Sequence, residues 1–372
     1  MIAERLIAIY ERMEEDLIKL VARRFADAKK LRLVNEYDWQ TRMLEDMGWL
    51  RQDSVKTIVR LSGKAEAEIE RILQKAVRET IDRDERMYRQ AHAAGALGDV
   101  PVPADMSPRI QRVIQAAAAN AKTALNLVNT TAAESAMRVY IDTVNRVYLE
   151  TVTGVSTYTD ATRRAVRELA DKGITGATYT SAAGRVTRAH LDVAVRRAVV
   201  TSVAQVAGGL QLERARDWGV NLVEVSAHIG ARPEHEIWQG RIYSIDGGTR
   251  KYPNLVDATG YGEVTGLMGA NCRHMFYPYF EGYSTPATRD WDTKENAKVY
   301  EATQRQRVLE RDIRKYKRRT IAADAAGDFD AAMAARTAVN RRGLELSAHI
   351  KKHPRLVSQS EREYVDGYKS TG

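Results

Sequence analysis

Helical periodicity runs through most of this chain and stops once, between Val220 and Pro286. At the start, Leu6, Ile9, Tyr10, Met13, Leu17 and Leu20 recur at spacings of three and four and mark one apolar helix face. In DWQTRMLEDMGWLRQDSVKTIVRLSGKAEAEIERILQKAV, Gly48 predicts a break, and Ser62 predicts a fresh helix over Lys64 to Val77 with acids early and bases late. The stretch AAGALGDVPVPADMSP then collects Gly, Pro and Ala without period and reads as a linker or exposed loop. From Arg109 to Trp218 the helical pattern returns. Thr159 or Asp160 is the expected cap of a helix ending near Gly173, and RVTRAHLDVAVRRAVVTSVAQVAGGLQLERARDWG reads as one long helix closed by Gly219. His190 on that helix is given no function, since no neighbour in sequence completes a site.

At Val220 the texture changes. Leu222, Val223 and Val225 suggest a strand, and the chain to Pro286 is dense in glycine, proline and aromatic residues, as expected of a compact α+β module. After it, Tyr300, Val308, Ile313 and Tyr316 resume helical spacing, Gly327 marks a turn, and a second helix to about Ile350 completes a charged antiparallel hairpin. The expected fold class is therefore mainly α with a small α+β module. The regions read as an N-terminal helical bundle over 1–92, a linker over 93–108, long central helices over 109–219, the module over 220–285, and a C-terminal charged helical hairpin and tail over 286–372.

With 372 residues the chain has room for two or more cores at the usual scale of about 150 residues per domain. Its single cysteine excludes an internal disulfide. MIAERLIAIYERMEEDLIKL mixes acids and bases throughout, unlike a secretory leader, and the most apolar run, Val193 to Leu210, is interrupted by Arg196 and Arg197, so a soluble protein is expected. A net charge of +9 makes nucleic acid or an acidic protein surface a fair partner without choosing between them.

The residues with most chemistry lie in the module. His228, His235, Cys272 and His274 offer four borderline-soft donors of the kind tetrahedral zinc takes, and zinc is the one cofactor the sequence suggests. The spacing is loose for a structural zinc site: His228 and His235 are seven apart, and Cys272 and His274 have one residue between them. The same residues also read as a core in which the histidines hydrogen-bond to backbone or acids and Cys272 behaves as a small hydrophobe. A thiol nucleophile activated by Arg273 and His274 is the weaker reading, because a shared face at that spacing makes no dyad. An HNH-type nuclease would need an adjacent His-His or Asp-His pair, which is absent from the sequence. In GARPEHEIWQG, Pro233 restricts Arg232, and Trp238 shares a face with His235 if a helical turn forms, so Arg232 could clamp a loop while Trp238 is buried. The glycines of TGYGEVTGLMG lack the Lys-Ser/Thr of a phosphate loop and read as tight turns. In the last region, Arg311, Arg314, Lys315, Lys317, Arg318 and Arg319 crowd one helix with Tyr316 among them. Solvated face and phosphate or acidic-protein contact are both open readings.

Three blocks in order, EVSAHIGARPEHEIWQGRIYS, YPNLVDATGYGEVTGLMGANCRHMFYPYFEG and YEATQRQRVLERDIRKYKR, resemble the phage minor capsid protein family, related in its core to Mu F-like head morphogenesis proteins. Weaker similarity extends to WQTRMLEDMGWLRQDSVKTIVRLSGKAEAEIERIL. The resemblance implies a low-copy virion component of a tailed phage or prophage, inside the head near the portal and in the host cytoplasm during assembly. Its implied partners are the portal protein, major capsid or scaffold proteins and non-specific double-stranded DNA, with no membrane in the mature head. It implies no enzymatic activity. Arg232, His235, Trp238, Gly240, Cys272, Arg273 and His274 match the family's signature positions, as module core or metal site. The alternative of a different class is a metal-dependent hydrolase or nuclease centred on the His/Cys cluster.

Overall fold

In the computed structural model, the described residues are 4–28, 36–45, 47–101, 107–180, 184 and 186–368. Val102 to Met106 of the expected linker, and the last residues of the expected tail, lie outside them. The elements in order are α1 (Glu4–Ala28), α2 (Glu36–Glu45), α3 (Met47–Ala93), α4 (Pro108–Val152), α5 (Tyr158–Lys172), β1 (Thr175–Thr180), β2 (Val186–His190), α6 (Leu191–Asp217), β3 (Leu222–Val225), α7 (Pro233–Glu236), β4 (Ile242–Ser244), α8 (Leu255–Thr259), β5 (Phe276–Pro278), α9 (Thr293–Ala325) and α10 (Phe329–Lys352). The fold is mainly α with a small α+β module, as the periodicity indicates.

Two compact units are assembled from separated segments. One comprises 1–67, 125–196 and 305–372; the other comprises 68–124 and 197–304. The first is built on α1, whose Leu6, Tyr10, Met13 and Leu17 are fully buried, with Ile9 and Leu20 half-buried. Tyr140 of α4 packs its ring 5.6 Å from Phe25 and donates its hydroxyl to the Met43 carbonyl at 2.8 Å. In the hairpin of α9 and α10, Leu309, Ile313, Val339 and Leu346 form a cluster, Gly327 turns the chain at φ +69°, and Asp328 caps α10 by accepting the Ala331 N–H.

The second unit holds the α+β module. Its sheet has the order β4-β3-β5, antiparallel throughout, with Val223 opposite Tyr243 on one side and Val225 opposite Phe276 on the other. Val223 and Val225 face inward while Glu224 between them does not, the two-residue period of a sheet with one buried face. Trp238, Leu255, Leu267, Met268, Cys272 and Phe280 fill that core. Tyr88 of α3 joins it, stacked on Trp218 with ring centroids 5.4 Å apart.

Three local expectations are corrected. Gly48 lies inside α3, and Ser62 starts no new helix: α3 runs unbroken for 47 residues. The stripe Ile58, Leu61, Ala65, Ile69, Ile72 and Ala76 is buried at helical spacing, and this packing outweighs the modest propensity cost of Ser62 and Gly63. The cap of α5 is Thr157, whose Oγ1 accepts the Asp160 N–H at 3.1 Å; the helix still closes at Gly173, φ +59°. The start of the expected long helix is instead strand β2, paired with β1 as a hairpin, and α6 begins only at Leu191. His190 therefore ends a strand rather than riding on a helix, and its Nδ1 sits 3.5 Å from Glu14 Oε1. The local sequence TRAH suits either state, and pairing with β1 decides it.

Candidate functional site

The site grows from two short segments of the module that fold onto each other. In the first, Pro233 occupies the opening turn of α7, where its missing N–H costs nothing, and the Arg232 carbonyl accepts the His235 and Glu236 N–H groups, each at 2.9 Å. Asn296, 2 % exposed, fixes the approach to this turn: its Oδ1 accepts from Gly230 N at 2.8 Å and Ala231 N at 3.0 Å, and its Nδ2 donates to the Ala231 carbonyl. In the second, the Gly269 carbonyl accepts the Cys272 N–H at 3.1 Å, and Asn271 adopts φ +60°. Cys272 and His274 then point inward while Arg273 between them is exposed.

His235, Cys272 and His274 meet. Their donor atoms all lie within 4.8 Å of one another, with Cys272 Sγ 3.7 Å from His235 Nδ1 and 3.6 Å from His274 Nδ1. The opposite ring nitrogens are held: His235 Nε2 is 2.9 Å from the Thr265 carbonyl, and His274 Nε2 is 3.0 Å from Gln239 Oε1. Arg232 reaches across to the same carbonyl at 3.3 Å, with Nη2 2.6 Å from His235 Nε2. Trp238 closes one side, its ring 4.5 Å from His235 and edge-on to His274 at 4.8 Å. Gly240 adopts φ +62°, and a Cβ there would sit 2.9 Å from Arg289 Nε, whose guanidinium donates to the Gln239 carbonyl. His228 is outside the three-donor group. Its ring stacks on His274 at 4.2 Å, and its buried Nε2 has no hydrogen-bond partner.

The family model for phage minor capsid protein 2 matches residues 1–351. The chain belongs to this family. It is similar to a structural protein of Lactococcus phage LL-H, 26% identical over 364 residues that cover 94% of this chain and 93% of the relative. It is also similar to a structural protein of Lactococcus phage mv4, 33% identical over 115 residues that cover 31% of this chain and 93% of that relative. No solved structure matches.

For a member of the minor capsid family, the electrostatics of the cluster describe a closed interior. Burial pushes the His274 pKa down to about 3, reinforced by His228 and His235; burial likewise lowers His235 and His228. Burial raises the Cys272 thiol, against the lowering effect of the His274 and Met268 backbone and of Arg232. The resting cluster is thus two neutral imidazoles and a protonated thiol, the wrong state for a nucleophile.

The basic run of α9 is positioned differently from an open stripe. Arg318 is 5 % exposed, donates to the Ala170 carbonyl at 3.3 Å and lies 4.0 Å from Glu14. Arg314 faces Asp192 at 3.5 Å and bonds the Arg362 carbonyl. Lys317 donates to the Glu363 carbonyl at 2.6 Å; Arg319 pairs with Asp171 through both carboxylate oxygens, and Lys315 lies 3.8 Å from the same acid. Arg311 is exposed. The acids that receive these bases, Glu14, Asp171 and Asp192, are distant in sequence, so periodicity and local charge pattern do not reveal the pairing.

Sequence reasoning also passed over Gln239, Thr265 and Asn296. Gln239 is fully buried and directly follows Trp238, so a polar residue inside a signature block was the available signal. Thr265 acts through its backbone, and Asn296 lies in the next helix; neither carries a sequence signal.

Proposed function

We propose that this protein is a low-copy structural component of a tailed-phage head, internal and seated near the portal, without enzymatic activity. The observation that carries the reading is the family match over residues 1–351, supported by a full-length relative named as a structural protein. Among the described residues no helix is long and apolar enough to cross a membrane. The net charge of +9 supports non-specific contact with packaged DNA through the surface as a whole. The α9 basic run contributes to cohesion of its own unit instead, because most of its side chains are engaged inside that unit. The hydrolase alternative finds little support in the geometry: His235, Cys272 and His274 are 3 %, 5 % and 2 % exposed, which leaves a substrate phosphate no approach.

Quantitative mass spectrometry of purified DNA-filled heads tests the proposal. The expected result is this polypeptide at far lower copy than the major capsid protein, crosslinked to the portal. Its absence from filled heads would end the reading. DNA binding by the isolated protein should weaken steeply with salt.

A further inference from the structure

We propose that His235, Cys272 and His274 form a zinc site that ties the α7 turn to the 272–274 segment. The proposal rests on their geometry and hydrogen bonding and is independent of the role in the head. A tetrahedral zinc with Zn–S of about 2.3 Å and Zn–N of about 2.0–2.1 Å separates sulfur from nitrogen by roughly 3.5 Å. The two Sγ···Nδ1 distances, 3.7 and 3.6 Å, already match.

The hydrogen bonds around the cluster point the lone pairs inward. Gln239 Oε1 accepts the His228 backbone N–H at 3.0 Å, which fixes the amide's orientation. His274 Nε2, 3.0 Å from the same oxygen, is then the protonated nitrogen, and its Nδ1 presents a lone pair to Cys272. His235 Nε2 lies 2.9 Å from the Thr265 carbonyl, which can only accept, and 2.6 Å from Arg232 Nη2, which can only donate; in the tautomer that donates to Thr265, His235 Nδ1 likewise presents a lone pair to Cys272. The second lone pair of that carbonyl receives Arg232 at 3.3 Å. Backing of each imidazole N–H by an oxygen acceptor is the usual outer shell of a histidine that ligates through its other nitrogen. In that tautomer and without a cation, the thiol has one proton to offer two inward-facing ring nitrogens in a closed interior, and at least one of them stays unpaired. A divalent cation satisfies all three donors at once, and the thiol proton leaves to solvent as the thiolate binds. Two imidazoles and a thiolate favour zinc over magnesium or calcium. Among the described residues the donors are His235, Cys272 and His274, and His228 lies outside the group. The cross-link would close the loop between residues 37 apart, His235 and Cys272.

The test uses the full chain. After incubation with zinc sulfate and desalting, elemental analysis should find one zinc per chain, and excess chelator should lower the thermal midpoint. Cobalt(II) should give the intense visible bands of a tetrahedral site and a thiolate charge-transfer band. Cys272→Ser should abolish that band, His274→Gln should lose stoichiometric metal, and His228→Ala should retain it. Should Cys272→Ser or His274→Gln fail to fold, the wild-type stoichiometry and cobalt spectrum still decide. A wild-type chain that stays metal-free and insensitive to chelator overturns the proposal, leaving His235 as the other tautomer, accepting from Arg232 and donating from Nδ1 to the sulfur. Loss of zinc in His228→Ala overturns the three-donor assignment.

Discussion

Replacing Gly266 with alanine tests whether the glycine-rich turn of the module is set by close backbone approach. A Cβ at this position would lie 1.9 Å from the Gly260 carbonyl oxygen, 2.4 Å from its carbon and 2.9 Å from the Thr259 carbonyl oxygen. All three are backbone atoms, so no side chain can swing away, and the turn must open by roughly 1 Å or more. It is held shut by Leu267 N–H to the Thr259 carbonyl at 3.0 Å and Ala270 N–H to the Val264 carbonyl at 2.7 Å. Opening also lifts Leu267 and Met268, each 1 % exposed, and burying a side chain of that size is worth about 1.5–3 kcal/mol. Partial loss of both, added to overpacking of about 1–3 kcal/mol, gives an expected destabilisation of about 3–5 kcal/mol. Urea unfolding followed by tryptophan fluorescence, which reports on the buried Trp218 and Trp238, should show a midpoint lower by at least about 1 M. Gly262→Ala is the control. Its φ is +97° with open space around it, so it carries backbone strain of about 1–2 kcal/mol and no clash. A Gly266→Ala protein no less stable than Gly262→Ala would refute the steric argument.

Further outcomes follow from other contacts. Arg318→Met should cost about 3–5 kcal/mol by stranding Glu14, while Arg311→Ala should stay within about 0.5 kcal/mol; equal effects in a denaturation series would contradict the internal role assigned to Arg318. Gly63→Ala, in the exposed middle of α3 with nothing within 4 Å, should stabilise by about 0.5–1 kcal/mol, measured as a raised urea midpoint. Asn296→Ala should cost about 2–4 kcal/mol and speed hydrogen exchange at Gly230 and Ala231, whose amides it satisfies. Burial, with Asp192 adding to it, raises the Glu11 carboxyl to about 8. A raised folded-state value means stability that is complete below about pH 4.5 and is lost as pH climbs through about 8, on the order of 5 kcal/mol. Glu11→Gln should remove that slope in urea midpoints between pH 5 and 9. Glu14 has the opposite sign: burial opposes its ionisation, but Arg318, His190 and the Ile174 N–H outweigh burial and hold it at about 2, so its contribution is lost only as pH falls from about 4.5 toward 2.

Local structure follows from neighbours along the chain. Period-three-and-four spacing makes α1 and the closing hairpin helical, Gly327 and Gly173 end helices because positive φ favours glycine, and Val223 and Val225 alternate about Glu224 as a half-buried strand must. The candidate cluster was legible as a set of residue types, and the alternation about Arg273 placed Cys272 and His274 on one face. Only the tertiary structure chose among readings that local chemistry left equal. It brought His235 to Cys272, left His228 outside the donor group, and turned each imidazole through contacts with Thr265 and Gln239. It converted the α9 bases from an apparent surface stripe into partners of Glu14, Asp171 and Asp192. It also carried α3 through Gly48 and Ser62 and made a strand of the residues before α6. The physical reason is common to these cases. Propensity, capping and periodicity act between neighbours in the chain, whereas burial, ion pairing and ligand geometry depend on groups that only folding brings together.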